Sequence, residues 1–269
     1  MLPALFLHIQ KTAGSSVLAK AFELYGRANC CMHGDYVSRT PEQLEPLMMV
    51  SGHFGFDYAE RFMPGRYSFT FLRDPVERLL SFYSYCRGRT RDEDEVNTLA
   101  HDNDAETFFR AGETASSKFA SHMWNHQACQ LASGWGASLV GKADIAPSGL
   151  PPDEILDRAK ANLARFDYIG LVENFEADNA AIFAALGDTS PDVFRINAAP
   201  IRTMREELPS STLELLATLT EIDQQLYDWA VRRRASAYQT HRDGTAAVAE
   251  YRYGVLHALA SVKQRWLRG

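Results

Sequence analysis

The stretch ALFLHIQKTAGSSVL, Ala4 to Leu18, restricts the fold more than any other part of the chain. The run Ala4 to Ile9 is long enough for a buried strand. A polar loop, Gln10 to Gly14, follows it, and Ser15 and Ser16 precede a helix-like segment, Val17 to Leu24. A strand, a tight loop and a helix N-terminus together make an anion site. The first-turn N–H groups have no partner inside the helix, and the helix dipole adds partial positive charge. Gly14 lets backbone approach a ligand, Lys11 adds a full charge, and Thr12, Ser15 and Ser16 add hydroxyls. The Walker pattern G-x-x-x-x-G-K-[ST] places its lysine after the loop, whereas here the lysine precedes the glycine. By spacing alone, an ordinary strand-to-helix turn with a solvated lysine explains the stretch equally well.

With 269 residues, 46% of them hydrophobic, the chain suits one large domain with a full core. A net charge of −6 disfavours a nucleic-acid binder without excluding a local basic cleft. No apolar run reaches the roughly 18 residues of a membrane span, and the first one is too short for a secretory signal. A strand beginning almost at Met1 leads us to expect an intact cytoplasmic chain. Cys30, Cys31, Cys86 and Cys129 show no C-x-x-C spacing, so reduced thiols rather than a zinc site are expected.

Further along, Arg27–Pro46 reads as irregular and polar, and its His33 either meets substrate or is simply solvated. The short apolar run Met48–Ser51 ends in Gly52-His53-Phe54-Gly55-Phe56. That puts His53 just past a strand end, where ligands of open α/β sheets sit; the alternative is a ring that only bonds backbone. The segment YSFTFL, Tyr67–Leu72, is the clearest strand. It runs into Arg73-Asp74-Pro75-Val76-Glu77-Arg78, with Asp74 at a helix N-cap, Pro75 at the first helical position and Glu77 three residues after the cap. Arg73, just outside that helix N-terminus, marks a second place to hold an anion. Ser81 bonds back to the preceding turn or reaches a ligand beside Arg73.

The charged stretch Arg87–Asp104 reads as a mobile surface loop, a solvated excursion or the rim of a substrate site. Thr107–Ala132 reads as helical and Gly134–Pro152 as a loop. Asp153–Phe166 reads as a helix, Tyr168–Val172 as a strand and Phe175–Leu186 as a helix ending at Gly187. Two long amphipathic helices close the chain, one carrying Leu215, Leu219, Ile222, Leu226 and Trp229, the other Val248 to Trp266. The expected fold is α/β: a P-loop-like parallel β-sheet flanked by helices with a helical C-terminal region. It forms a single domain over 1–269, whose helices at about 211–267 pack on it or on a second copy.

Two segments carry a family resemblance. HIQKTAGSS resembles the HxPKTxGTS segment of carbohydrate sulfotransferases, and FLRDPVERLLSFYSY resembles their RDPxxRxxSxY segment. SGHFGF and YIGLVENFEADNAAIFAAL are similar to the histidine-bearing and VGxxE segments of the heparan and dermatan sulfate 2-O-sulfotransferase branch. The resemblance runs with gaps from about Leu5 to about Trp229. It implies a co-substrate, 3′-phosphoadenosine 5′-phosphosulfate, with no metal required. Lys11, Thr12, Ala13, Gly14, Ser15 and Ser16 would hold its 5′ end, and Arg73 and Ser81 its 3′ phosphate. Arg202, with Arg195 and Asn197, would close over the nucleotide, while Arg78 would make an internal salt bridge. Lys11 would stabilise the leaving phosphate and His53 would act as general base toward an acceptor hydroxyl, expected on a glycan or glycoconjugate.

The chain departs from that pattern in two places. Ser51 stands where the 2-O branch has a second histidine, and Gln10 where the family often has proline. Two other readings remain. A P-loop kinase or nucleoside-triphosphate hydrolase would need ATP and Mg²⁺. A catalytically silent nucleotide-binding protein would keep the fold without turnover.

Overall fold

The computed structural model describes residues 1–32, 34–114, 118–132, 150–189 and 203–242. Its centre is a sheet of four parallel strands: β1 (Ala4–Leu7), β2 (Met49–Gly52), β3 (Tyr67–Leu72) and β4 (Tyr168–Leu171), in the order β2-β1-β3-β4. Helix α1 (Gly14–Tyr25) leaves β1. Three short helices, α2 (Asp35–Ser38), α3 (Pro41–Leu44) and α4 (Phe56–Ala59), flank β2. After β3 come α5 (Pro75–Arg87), α6 (Glu95–Asp102), α7 (Ala105–Thr114), α8 (Lys118–Met123), α9 (His126–Ala132) and α10 (Pro152–Leu163). After β4 come α11 (Phe175–Ala185), α12 (Ser210–Leu219) and α13 (Glu221–Arg242).

Strand periodicity explains the layering, since successive side chains leave a strand on opposite faces. Ala4, Phe6, Phe69, Phe71 and Tyr168 pack with Val17 and Ala21 of α1 and Ile182 and Phe183 of α11. Leu5, Leu7, Val50, Leu72, Ile169 and Leu171 pack on the other face with α4, α9, α10 and α13. A third apolar cluster joins α5 to α6, α7, α8 and α12. Both sheet faces are covered, as an all-parallel sheet requires.

Several expected elements are subdivided. The polar stretch after α1 holds α2 and α3, and Thr40 and Gln43 form a capping box on α3. The helical stretch from Thr107 is α7, α8 and α9 rather than one helix. The charged stretch 87–104 is not a loose loop: Asp94 caps α6 through the Asn97 N–H at 2.8 Å, and Asn97 and Ala100 are buried. The amphipathic helix expected over 211–229 is broken at Thr220 into α12 and α13. Leu215, Leu216 and Leu219 belong to the α5 cluster, whereas Ile222, Leu226 and Ala230 belong to the sheet. The break lets one amphipathic pattern serve two differently placed cores. The expected final helix, Val248 to Trp266, lies outside the described residues, as do most of 134–152 and of 191–209. Among the described residues no helix is long and apolar enough to cross a membrane.

Candidate active site

In the order β2-β1-β3-β4 the chain passes from β1 to one side and then to the other. The crevice outside the carboxyl ends of β1 and β3 is therefore a topological switch point, the usual ligand position in such sheets. The residues following β1, β2 and β3 converge there.

The loop after β1 turns sharply. Lys11 and Ala13 have φ of 69° and 66°, in the left-handed region that costs a side-chain-bearing residue energy. Thr12 stabilises the turn, donating both its hydroxyl (2.7 Å) and its N–H (3.3 Å) to the Ile9 carbonyl. The Thr12 hydroxyl proton is thus committed to the loop, and the residue is fully buried. Helix α1 starts with no side-chain cap and no acidic residue in its first turn. Its first intrahelical donors are Ser16 and Val17, both to the Ala13 carbonyl, so the N–H groups of Gly14 and Ser15 have no acceptor within the helix.

Gly14 is required for packing. A Cβ there would lie 1.9 Å from His8 Nε2. The His8 ring stacks on Phe6 (5.2 Å, 18°), and the His8 N–H donates to the Gly52 carbonyl at 3.0 Å. Because Leu7 is in register with Gly52, the next residues, His8 and His53, are neighbours. Nδ1 of His8 and Nε2 of His53 lie 3.1 Å apart, with the rings nearly perpendicular. His8 is buried and His53 half-buried. Ser51, by contrast, is fully buried on β2, and the second imidazole beside His53 is His8, the residue after β1.

At the end of β3, Arg73 leans toward the first loop: its Nη1 donates to the Lys11 carbonyl at 3.3 Å, and its Nη2 is 3.7 Å from Glu77. Lys11 lays its ammonium 3.9 Å from the ring centre of Tyr85, an exposed residue of α5. Burial, with help from the Arg73 and Arg78 charges, lowers the Lys11 pKa to about 8. Asp74 caps α5, accepting from the Glu77 N–H at 3.0 Å, while its own N–H donates to Glu173 at 2.9 Å. Glu173 also accepts from the Tyr227 hydroxyl at 2.9 Å, so the VGxxE-like segment braces the turn against α13. Ser81 is half-buried, and its hydroxyl makes no hydrogen bond to the described residues. In the same helix Ser84 bonds back to Leu80.

Among the described residues Arg78 does not form the expected salt bridge. It is fully buried, and its Nη2 donates to the His122 carbonyl at 2.5 Å. Its Nε and Nη1 have no hydrogen-bond partner among the described residues. Burial lowers its pKa to about 10, against the attraction of Asp223. Asp223 instead accepts from the N–H groups of Gln127 (3.2 Å) and Ala128 (2.7 Å), capping α9. Its carboxyl is pushed up to about 6 by burial. Burial, reinforced by Arg78 and His122, holds His126 well below the ordinary histidine range and therefore neutral.

Helix α9 organises the crevice from below, which the sequence reasoning missed. Gln127 exchanges two hydrogen bonds with the Arg73 backbone, at 3.0 and 2.9 Å. One turn on, Gln130 Nε2 donates to the carbonyls of Phe54 (2.9 Å) and His8 (3.2 Å). Two amides spaced i, i+3 thus tie together the ends of β3, β1 and β2. The helix is itself fixed reciprocally: Asn125 accepts from the Ile222 and Asp223 N–H groups of α13, while Asp223 caps α9. The signal available in sequence was HQACQ, two glutamines one turn apart in a buried segment.

Lys11, Thr12, Ala13, Gly14, Ser15, Ser16, His53, Arg73 and Ser81 therefore sit on elements that meet at one crevice. His33, Arg195, Asn197 and Arg202 lie outside the described residues. In the charged stretch after α5, Arg89 pairs with Glu93, and Arg91 with Asp92 and Asp102, while Arg87 lies over the Tyr83 ring. All four cysteines are buried and none is in a disulfide among the described residues. Among the described residues no cluster of three or more His, Cys, Asp or Glu side chains is placed to hold a metal.

The class defined by fold and crevice is an α/β protein with a parallel sheet and a topological switch point lined by Lys11 and Arg73. Residues 3–131, just under half of the chain, match a family model described as Sulfotransferase family. The matched segment runs from β1 through α9 and includes every described candidate named above. No curated protein matches the chain.

Proposed function

We propose that the chain is a sulfotransferase that moves a sulfuryl group from 3′-phosphoadenosine 5′-phosphosulfate to a hydroxyl of an acceptor, with a carbohydrate as the acceptor class. The observation that carries this reading is the meeting of Lys11, Arg73 and the His8–His53 pair at one switch point, inside the segment that matches the sulfotransferase model.

The donor's chemistry fits the residues present. The charges of Arg73 and Arg78 both lower the proton affinity of Lys11, that of Arg73 also lowers the proton affinity of Arg78, and an uncapped helix N-terminus adjoins them. Such a cluster favours a ligand with several negative charges. Lys11, Ser15, Ser16 and the α1 amides would hold its 5′ end, with Gly14 allowing close approach, while Arg73 and Ser81 would hold the 3′ phosphate. Bound there, the donor supplies a sulfuryl group whose departure leaves negative charge on a phosphate oxygen.

The chain's own part is electrostatic and protolytic. Lys11 holds positive charge where that oxygen charge develops. His53 takes the acceptor's hydroxyl proton, a role suited to a neutral imidazole. The internally paired arginines of 89–91 favour an acceptor of low charge over a highly sulfated glycan.

Calorimetric titration with 3′-phosphoadenosine 5′-phosphate in chelator, against ATP with Mg²⁺, tests the reading. Metal-independent preference for the bisphosphate, followed by transfer of labelled sulfate to a panel of glycans and small alcohols, is the expected result. Preference for ATP with Mg²⁺ overturns it. His53→Ala lowers turnover by about 10² to 10⁴ with bisphosphate affinity nearly unchanged. A collapse of affinity in that variant would make His53 a nucleotide contact instead.

A further inference from the structure

We propose that Tyr85 is the positioning residue of Lys11: its ring face seats the Lys11 ammonium on one side and leaves the other side to an anion. The inference rests on the reading of Lys11 as the cation at the donor's 5′ end and adds what holds that cation in place.

The Lys11 ammonium lies 3.9 Å from the Tyr85 ring centre, well within the range of a cation–π contact. Among the described residues no carboxylate pairs with it; the charges that face it are Arg73 at the end of β3 and Arg78 on α5. The other lysine of the same strand–helix unit is treated differently, since Lys20 pairs with both Glu23 and Asp188. A carboxylate beside Lys11 would neutralise the ammonium and compete with an incoming anion. An aromatic face attracts the ammonium through its quadrupole and carries no net charge, so the full positive charge stays available.

Both ends of the contact are fixed. The Lys11 carbonyl accepts from Arg73 at 3.3 Å, and the next residue, Thr12, is tied to the Ile9 carbonyl. Tyr85 follows Ser81 by four residues and Glu77 by eight, so the three share one face of α5. The ring thus lies one turn beyond the Ser81 hydroxyl, and the Lys11 side chain spans from the β1 loop to that face. Lys11 is half-buried and Tyr85 is 41% exposed, so the contact is not closed off from solvent. The Arg89 guanidinium also approaches this ring, at 5.8 Å, but its charge is paired with Glu93. The neighbouring Cys86 thiol is pushed up to about 12 by burial, so it stays neutral and contributes no counter-charge. Burial and the two arginines oppose the charge on Lys11, and the Tyr85 ring is the group that supports it.

The test uses the full chain with ¹³C-labelled lysine in wild type, Tyr85→Phe and Tyr85→Leu, with the signal missing from Lys11→Arg identifying Lys11. In wild type the Lys11 Cε protons should be shifted upfield by the ring, and should stay so when 3′-phosphoadenosine 5′-phosphate binds. Tyr85→Leu should abolish that shift and lower the proton affinity of Lys11 about two- to fivefold, the size of an exposed cation–π contact, while Tyr85→Phe should restore both. In calorimetry Tyr85→Leu should bind the bisphosphate nearly as well as wild type at about pH 6.5, where Lys11 is charged in both. At about pH 9 it should bind about two- to fivefold more weakly, because Lys11 must then take up its proton without the ring. A merely structural role would weaken binding equally at both pH values and so overturns the proposal. A wild-type Lys11 with no upfield shift does so whether or not any variant folds. So does an unchanged proton affinity in Tyr85→Leu, or a Tyr85→Phe protein that behaves like Tyr85→Leu. Tighter binding by Tyr85→Leu at about pH 6.5, with the shift lost in the wild-type complex, would make the ring a competitor of the ligand and also overturns it. If wild type prefers ATP with Mg²⁺ but the shift and proton affinity of Lys11 depend on Tyr85, the sulfotransferase reading fails and the positioning role stands.

Discussion

The turns after β1 and β3 are both strand-to-helix junctions on adjacent parallel strands, yet they treat charge in opposite ways. Helix α1 begins uncapped, with no acid in its first turn and Lys11 just before it. Helix α5 begins with Asp74 as its cap, Pro75 at its first position and Glu77 in its first turn. Its N-terminus is already occupied by the chain's own carboxylate, as the sequence suggested, which leaves Arg73 just outside it as the cation of that junction. Any anion at that end must be held by the Arg73 guanidinium, which is directed toward the Lys11 carbonyl, and by Ser81. One junction gives up helix stability to leave amides available, and the other caps its helix and offers a side chain instead.

This contrast can be tested from either side. Lys11→Ala should lower turnover by about 10² to 10³, the effect of removing one donor from a developing oxyanion. Ser15→Asp should make α1 resemble α5. The protein gains about 0.3–1 kcal/mol in urea unfolding through the helix dipole, while bisphosphate affinity falls roughly tenfold or more in calorimetry, because a carboxylate then faces the phosphates. Asp74→Ala should do the reverse at the other junction. About 1 kcal/mol of stability is lost with the cap, and bisphosphate affinity does not fall, because a negative charge near Arg73 has gone.

The smallest effect is on pH dependence. Lys11 has its folded pKa lowered to about 8 by burial. A bound anion raises it again, so binding takes up a proton above that pH. Bisphosphate affinity should therefore weaken several-fold from about pH 7 to about pH 9, and Lys11→Arg should flatten the curve. The free protein should show the opposite sign. The unfolded chain binds that proton more tightly, so the contribution of Lys11 to stability rises as pH goes from about 8 toward the ordinary lysine value of 10.5.

Local patterns were legible wherever one segment supplies its own evidence. Tyr67–Leu72 reads as a strand because its aromatic and β-branched residues suit no other element, and the structure has β3 at the same bounds. Asp74-Pro75 reads as a helix start because cap and first turn are sequence neighbours. His8 was hidden by the pattern around it, as one polar residue at the end of an apolar run reads as part of the strand. Its meaning comes from register with β2, 45 residues away. Gln127 and Gln130 looked like ordinary positions on a helix, since their partners lie just past the ends of three separate strands. The break at Thr220 was invisible because the apolar steps continue through it. Only Asn125, about 97 residues earlier, supplies the cap that starts a new helix there.

The amino-acid sequence by itself determined the parallel α/β class, the lysine-bearing turn and the capped helix after Arg73, because each depends on residues within one or two helical turns of one another. The tertiary structure alone decided that the two turns face each other across a switch point, that His53 rests on His8, and that α9 holds all three strand ends. Those facts depend on strand order and register, which arise from burying both faces of one sheet rather than from any short stretch of chain.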